Sequence, residues 1–265
     1  ISLDAAQSGD TIMIAAGTYS ENLTIGTPGL TLRSVTGDPT DVVLKGSFKS
    51  DNNIVGETVG DWIEDKSAYD GSGGNGIVIG ADNVTIQNIT IAEFTYGLLL
   101  GANTGLSVEN VVFAENLIGI YKQDGAVDVT DFSLIGGVIS GGYQGMTINA
   151  LDGGSFDDVL IDGTIFEHLT WKGIYVEQLS NAELLNLVMN DVGQFGRSVV
   201  TGGSAGADGS GIELNLKYDA FSEILISGFT LTDVGLSNGS GTPHTNGAAI
   251  GIKARDDSPS YNSDP

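Results

Sequence analysis

A short phrase recurs along this chain: a glycine followed by a run in which apolar residues alternate with others. Copies begin at Gly76, Gly97, Gly119, Gly145, Gly173 and Gly211, with a degenerate seventh copy at Gly247, and their spacings are 21, 22, 26, 28, 38 and 36 residues. Self-similarity at such a period is typical of solenoids, in which each repeat packs on its two neighbours. The chain is therefore expected to fold as a stack of coils.

A second phrase follows each of the first six copies and consists of two short strands joined at an asparagine or a glycine. The joining residues are Asn88, Asn110, Gly137, Gly163, Asn186 and Gly228. Asparagine and glycine tolerate the left-handed backbone that a sharp corner requires. Three short strands in each coil of about 22 residues, without helical periodicity, predict a parallel β-helix. A β-sandwich would instead show hairpin turns, which are absent from the pattern.

The stretch before the repeats contains the run GDTIMIAAGTYSENLTI at positions 9–25, preceded by SLDAAQ at 2–7. This run resembles the opening of right-handed parallel β-helix proteins of the pectate-lyase-like superfamily, and SLDAAQ resembles the end of their cap helix. The fold we predict is all-β: one single-stranded right-handed parallel β-helix over residues 1–265, with about eight coils and a partial N-terminal cap. The superfamily contains lyases, hydrolases, epimerases and non-catalytic modules, so the resemblance leaves activity open.

Composition excludes several classes of function. Lys and Arg number 10 against 34 Asp and Glu, and the net charge of −24 disfavours binding to nucleic acid. No apolar run approaches the ~20 residues of a membrane span, so we expect no membrane insertion. The absence of cysteine excludes disulfides and thiol nucleophiles. The acidic, cysteine-free composition indicates a secreted, extracellular or cell-surface protein of bacterial type, of which this chain is expected to be a segment.

Alternation assigns the residues after each glycine to two faces of the strand. The first and third point inward, except Lys122, for which we expect a bulge; the second and fourth point outward. The outward set becomes polar and aromatic from the third coil onward, with Tyr121, Gln123, Asn149, Tyr175, Glu177, Glu213 and Asn215. Lys217 and Lys253 both lie six residues past their glycines and are predicted to align in successive coils, with Arg255 on the same side.

The largest insertions, residues 50–75, 193–210 and 234–246, precede this same strand, and smaller ones follow it. Long loops in a solenoid usually mark its binding face. Two of them carry Trp62 and His244. Aromatic rings and polar side chains in a walled groove suit a polysaccharide, and the resemblance implies a cleft on the same sheet. The predicted substrate-binding residues are Tyr121, Gln123, Asn149, Asn215, His244, Arg255 and Trp62.

The predicted catalytic residues are Tyr175, Glu177, Glu213, Lys217 and Lys253. Glu177 and Glu213 should lie on adjacent coils with a two-residue offset, so their backbones are about 8 Å apart. That separation suits an inverting hydrolase. A lyase or epimerase would instead use Lys217, Lys253 or Tyr175 as base or as carboxylate neutraliser. Signature runs of these families are missing, so hydrolase, lyase and epimerase all remain open. Calcium is a candidate cofactor because carboxylates are abundant.

The alternative is a non-catalytic structural or adhesive module of a large secreted, surface-layer or filament protein. A polar strip is also what the solvated face of any soluble sheet presents. An open solenoid end exposes unpaired strand edges, which predicts self-association through those ends.

Overall fold

The computed structural model describes residues 1–48, 73–122, 125–150, 153–193, 209–217, 221–235 and 247–255. Within these ranges the chain forms 22 strands, paired in parallel, and no helix. No described helix is therefore long and apolar enough to cross a membrane.

The strands stack into three parallel ladders, each with eight rungs among the described residues. The first ladder contains β1 (Thr11–Ile14), β4 (Thr31–Ser34), β7 (Thr85–Gln87), β10 (Asn103–Glu109), β13 (Asp128–Ile135), β15 (Ser155–Asp162), β17 (Ser180–Leu185) and β20 (Ile224–Ser227). The second contains β2 (Gly17–Tyr19), β5 (Val42–Lys45), β8 (Thr90–Ala92), β11 (Val112–Ala114), the beginnings of β14 (Val138–Ile148) and β16 (Ile165–Val176), β18 (Val188–Val192) and β21 (Thr230–Val234).

The third ladder, called here the glycine ladder, contains β3 (Leu23–Ile25), β6 (Asn75–Ile79), β9 (Tyr96–Leu100), β12 (Ile118–Lys122), the ends of β14 and β16, β19 (Ser210–Lys217) and β22 (Ala248–Arg255). The chain visits the three ladders in turn, and β14 and β16 run around one corner without a break. This order confirms the predicted parallel β-helix of about eight coils. Crossovers between parallel strands are right-handed in nearly all proteins.

The predicted corner residues lie between the first and second ladders, and their backbones are left-handed. Asn88 and Asn110 have φ of 53° and 49°, and Gly137 has φ of 74°. The Asn110 amide Nδ2 also donates a 2.8 Å hydrogen bond to Asn88 Oδ1 on the neighbouring coil. Because a left-handed backbone is costly for most side chains, asparagine and glycine recur at this corner.

The recurring glycines stack directly on one another along the glycine ladder. A Cβ atom added to Gly97 would lie 2.7 Å from the carbonyl oxygen of Gly119, and one added to Gly145 would lie 2.5 Å from that of Gly173. Neighbouring coils thus approach so closely that a side chain would collide with backbone. The close contact between neighbouring coils therefore explains why each recurring sequence phrase begins with glycine.

The inward positions of the glycine ladder form part of a continuous apolar core that extends from Ile14 to Leu216. The expectation of a bulge at Lys122 was wrong. This lysine pairs with Ile148 in regular inward register and is fully buried, and its Nζ donates a 3.0 Å hydrogen bond to the carbonyl oxygen of Asn149. A long aliphatic stem lets lysine bury its carbons while its ammonium reaches a polar edge.

At the N-terminus, residues 1–10 form turns rather than the predicted end of a cap helix. The backbone N–H of Ala6 donates to the Leu3 carbonyl at 3.0 Å, and the backbone N–H of Gln7 donates to the Asp10 carboxylate at 2.8 Å. Gly9, with φ of 86°, is left-handed and does not continue a helix. Ile1, Leu3 and Ala6 still pack against the core, so the cap is present in non-helical form.

Candidate functional site

The outer face of the glycine ladder brings together most of the predicted site residues that the structure describes. Tyr121, Thr147, Tyr175 and Glu213 occupy one column, because each is paired in register with the next. Asn149 and Glu177 lie two residues further along the chain, directly after the ends of β14 and β16. The pairing of Tyr175 with Glu213 places Glu177 and Glu213 on adjacent coils with the expected two-residue offset.

The last rung corrects the predicted alignment of Lys217 with Lys253. Lys253 pairs with Asn215, and Lys217 pairs with Arg255. The register differs by two residues because Ala249, not Gly247, lies opposite Gly211: a Cβ on Gly211 would be 2.6 Å from the Ala249 carbonyl oxygen. A two-residue shift keeps each side chain on the same face, so Lys253 remains on the outer side.

Glu213 is held by lysines from the coils on both sides. Lys172 donates to its Oε2, and Lys253 donates to its Oε1 at 2.9 Å. Burial raises the pKa of the Glu213 carboxyl, but the charge and hydrogen bond of Lys172, together with Lys253, outweigh burial and leave that pKa below its ordinary value. Glu213 is therefore an ionised acceptor, which fits the base or nucleophile of a glycoside hydrolase and does not fit its protonated acid.

Glu177 is enclosed by donors. Its Oε1 accepts hydrogen bonds from the Tyr175 hydroxyl at 2.6 Å and from Lys217 Nζ, and its Oε2 accepts one from the backbone N–H of Ala150 at 3.1 Å. Asn215 Nδ2 completes the arrangement by donating to the Tyr175 hydroxyl at 2.9 Å. Lys172, Glu177, Glu213, Lys217 and Lys253 are called below the lysine–glutamate cluster.

The Tyr175 phenol donates to Glu177 and also lies within the electrostatic influence of Glu213. Burial, followed by the negative charge of Glu177, raises the pKa of its phenol well above the usual value, with a further contribution from Glu213. The hydroxyl therefore stays protonated and acts as a donor to Glu177. To act as a base, Tyr175 would need a phenol pKa that is lowered rather than raised.

Four aromatic side chains on four consecutive coils, called here the aromatic shelf, extend this face toward the N-terminal end. They are Tyr96, Tyr121, Tyr143 and Trp171, and of these only Tyr121 belonged to the predicted site. Tyr96 stacks on Tyr121 with ring centroids 4.2 Å apart, and Tyr143 stacks on Trp171 at 5.2 Å. The Lys172 ammonium lies 4.6 Å from the Trp171 ring and 4.9 Å from the Tyr175 ring, which links the shelf to the cluster.

A pocket of about 320 Å³ lies over this surface, lined by the aromatic shelf and by Thr147, Asn149, Tyr175 and Glu177, among others. The hydroxyl of Thr147 is buried and has no hydrogen-bond partner among the residues that the structure describes. Asn149 donates to the Tyr121 hydroxyl at 3.4 Å, at the long limit of a hydrogen bond. Pockets of small ligands have volumes from about 300 Å³ upward, so this one has the size of a binding site.

Two of the residues missed by the sequence analysis, Tyr96 and Lys172, lie directly before a glycine of the repeat. The residues paired in the column at this position are mixed and more polar than those of a core column, which is a sequence signal for them: Asn75, Tyr96, Ile118, Gln144, Lys172, Ser210 and Ala248. Strict alternation would place these side chains inside. The chain is irregular at this point, as the register shift between Gly142 and Gln144 shows, and the side chain before the glycine can reach the outer face.

Three predicted binding residues, Trp62, Gln123 and His244, lie outside the described residues. Arg255 is placed at the end of the last rung, beside Lys217 in register. Across the described ranges, no three carboxylates or histidines come together in an arrangement that could hold a metal ion, and calcium stays a prediction.

No protein-family model and no curated protein matched the sequence. Among solved structures, the chain is similar to a pectin methylesterase from Erwinia chrysanthemi, with a TM-score of 0.40 and 13% identity over 93% of this chain and 85% of that one. It is also similar to the rice weevil pectin methylesterase, with a TM-score of 0.39 and 13% identity over 94% and 81%. A third, from Yersinia enterocolitica, has a TM-score of 0.38 and 13% identity over 92% and 89%.

Proposed function

We propose that this protein binds a polysaccharide chain on the outer face of the glycine ladder and acts on it there. The observation that carries the proposal is the pocket in which the aromatic shelf meets the lysine–glutamate cluster. The negative faces of aromatic rings attract the C–H groups of a sugar ring, and the cluster supplies polar partners for its hydroxyls. An extracellular or cell-surface location remains a prediction from composition.

The order of the aromatic shelf and the lysine–glutamate cluster along the solenoid indicates how a polysaccharide chain would lie on this face. Aromatic side chains come from four consecutive coils, whose spacing of ~4.8 Å gives the shelf a length of about 14 Å along the solenoid. That length accommodates a few sugar rings in a row. Tyr175 and Glu177 border the same pocket at its C-terminal end.

Any reaction at this site has to use Glu213 and Tyr175 in the protonation states that their surroundings impose. Glu213 is ionised, and Glu177 accepts hydrogen bonds on both of its oxygens, so neither fits the carboxylic acid that a hydrolase pairs with a carboxylate base. The protonated Tyr175 can donate a proton or a hydrogen bond, and the lysines can stabilise negative charge that develops on a substrate. Elimination or epimerisation beside a carboxylate accords better with these groups than hydrolysis by Glu177 and Glu213, because the ionised Glu213 carboxylate can accept the abstracted proton while the lysines stabilise the developing negative charge.

The test uses a panel of neutral and acidic polysaccharides, with binding measured by calorimetry. Release of reducing ends and ultraviolet absorbance of unsaturated uronates distinguish hydrolysis from elimination. Tyr121→Ala should weaken binding about tenfold, since it removes one ring of the shelf. Phe229→Ala is the matched control, because Phe229 is exposed and lies outside the pocket. Binding of no polysaccharide would contradict the proposal.

The second candidate is a non-catalytic structural or adhesive module. It is favoured by the way the cluster's polar groups satisfy one another: Glu177 and Glu213 both accept hydrogen bonds on both oxygens. Such a network can also serve only to specify the packing of successive coils. Binding without any product would favour this candidate over an enzyme.

A further inference from the structure

Lys253 differs from the other two lysines of the cluster in its exposure. The side chains of Lys172 and Lys217 are 2% and 10% exposed, whereas that of Lys253 is 57% exposed. Its ion pair is with Glu213, to which the buried Lys172 also donates. An ammonium group carries three N–H donors, so Lys253 can bind a second acceptor without leaving Glu213.

The distribution of positive charge singles out the same place. Of the ten Lys and Arg residues, Lys172, Lys217, Lys253 and Arg255 lie in the strands that form the last three rungs of the glycine ladder. The protein as a whole carries a net charge of −24. A small group of cations in an acidic protein attracts an anion at close range, whereas the long-range field opposes a ligand with many negative charges.

We infer, on the basis of the proposed function, that the polysaccharide is a largely neutral chain with isolated acidic groups, one of which binds Lys253 while neutral rings lie on the aromatic shelf. Lys253 is two coils beyond Tyr175, or about 10 Å along the solenoid. The acidic group therefore lies roughly two sugar rings past the C-terminal end of the pocket. A chain with a carboxylate on every ring would place further charges over the shelf, where the described lining offers aromatic rings and amides.

The experiment compares three oligosaccharides that share one backbone and one length: a neutral one, one with a single uronate, and one with a uronate at every ring. Calorimetry at low and moderate salt gives each affinity. We expect the singly charged probe to bind about tenfold more tightly than the neutral one, as one charge-assisted hydrogen bond would give. This advantage should shrink as salt rises, while the neutral affinity stays unchanged.

Lys253→Met should remove the advantage of the singly charged probe over the neutral one, and Lys253→Arg should keep most of it. Lys45→Met is the matched control. Lys45 is a similarly exposed lysine paired with Glu93 at 2.8 Å, and it lies on the second ladder, so the variant changes the net charge equally. It should leave the preference intact.

Tightest binding by the fully charged probe would overturn the inference in favour of a polyanion. Equal affinities for the neutral and singly charged probes would also overturn it and would leave the proposed function standing. If none of the three probes bound and no polysaccharide of the panel bound either, both this inference and the proposed function would be overturned.

Discussion

The ammonium of Lys172 donates a hydrogen bond to the carboxylate of Glu213 from the preceding coil, and both side chains are buried on the outer side of the sheet. This contact joins two rungs at the point where the aromatic shelf ends and the lysine–glutamate cluster begins. A buried ion pair adds little stability over an apolar pair, but the loss of one partner leaves an uncompensated charge. The pair therefore couples the site to the integrity of the solenoid.

Lys172→Met should lower the free energy of unfolding by about 2–3 kcal/mol, since Glu213 keeps Lys253 but loses its buried partner. Urea titration followed by circular dichroism measures the change. Lys45→Met, in an exposed pair, should cost less than about 1 kcal/mol. The double variant Lys172→Met, Glu213→Gln should regain part of the loss. Equal effects of the two single variants would contradict the burial argument.

The contribution of Glu213 to stability should depend on acidity. Because its folded pKa lies below the ordinary value, its stabilisation is present above the unfolded pKa of about 4.3 and is lost as the pH falls through the lower folded value. The difference in unfolding free energy between wild type and Glu213→Gln should therefore shrink from neutral pH toward pH ~3. Glu93→Gln, at an exposed pair, should show a small difference throughout. If the difference in unfolding free energy between wild type and Glu213→Gln stayed constant with pH, the lowered pKa of Glu213 in the folded protein would be contradicted.

Tyr175 should behave in the opposite sense, at alkaline pH. Its folded pKa is raised, so its stabilisation is fully present below the unfolded value of about 10 and is lost as the pH rises through the folded value. In native protein near pH ~11, Tyr175→Phe should leave the tyrosinate absorbance unchanged, since Tyr175 is still protonated there.

In urea, the wild type should show one more titrating phenol than the Tyr175→Phe variant, out of the 8 tyrosines of the chain. This comparison verifies that the lost phenol is detectable. A smaller native signal in the variant would mean that Tyr175 ionises with the exposed phenols, and its role as a buried donor would then be wrong.

Gly97→Ala should cost about 3 kcal/mol or more, because the new methyl group would lie 2.7 Å from the Gly119 carbonyl oxygen and 2.9 Å from the Phe113 ring. Gly80→Ala is the control: the atom nearest to its new methyl group is the Ile25 carbonyl oxygen at 3.7 Å. That change should be neutral within about 0.5 kcal/mol. Thermal and urea unfolding compare the two, and tolerance of alanine at Gly97 would contradict the stacking argument.

The fold could be predicted because its local requirements repeat. Gly97 and Gly145 recur where coils touch, and Asn88 and Asn110 recur where the backbone turns left-handed, so each requirement leaves a residue-specific trace in every coil. Two details escaped prediction. The pairing register between β19 and β22 differs from the predicted one because Ala249 lies opposite Gly211. Residues 1–10 form turns rather than a helix end, and Gly9 among them is left-handed.

The candidate site could be predicted only in part. Tyr175, Glu177 and Glu213 followed from alternation, which holds after each glycine. Lys172 directly precedes its glycine, where strict alternation would place it inside, so alternation alone did not predict its position on the outer face. The shift of the Glu213 pKa depends on Lys172, and it too could not be foreseen from spacing.

The stacked glycines have a consequence for how such a protein can diverge. They and the inward side chains keep neighbouring coils in register, and an outward side chain takes part in that packing where it pairs across coils, as Glu213 does with Lys172. Elsewhere, natural selection can replace the residues that meet a ligand one coil at a time, while the interior stays the same. In this architecture, change in ligand preference and loss of the fold are separable events along the lineage, except where a site residue is bound across coils, as Glu213 is.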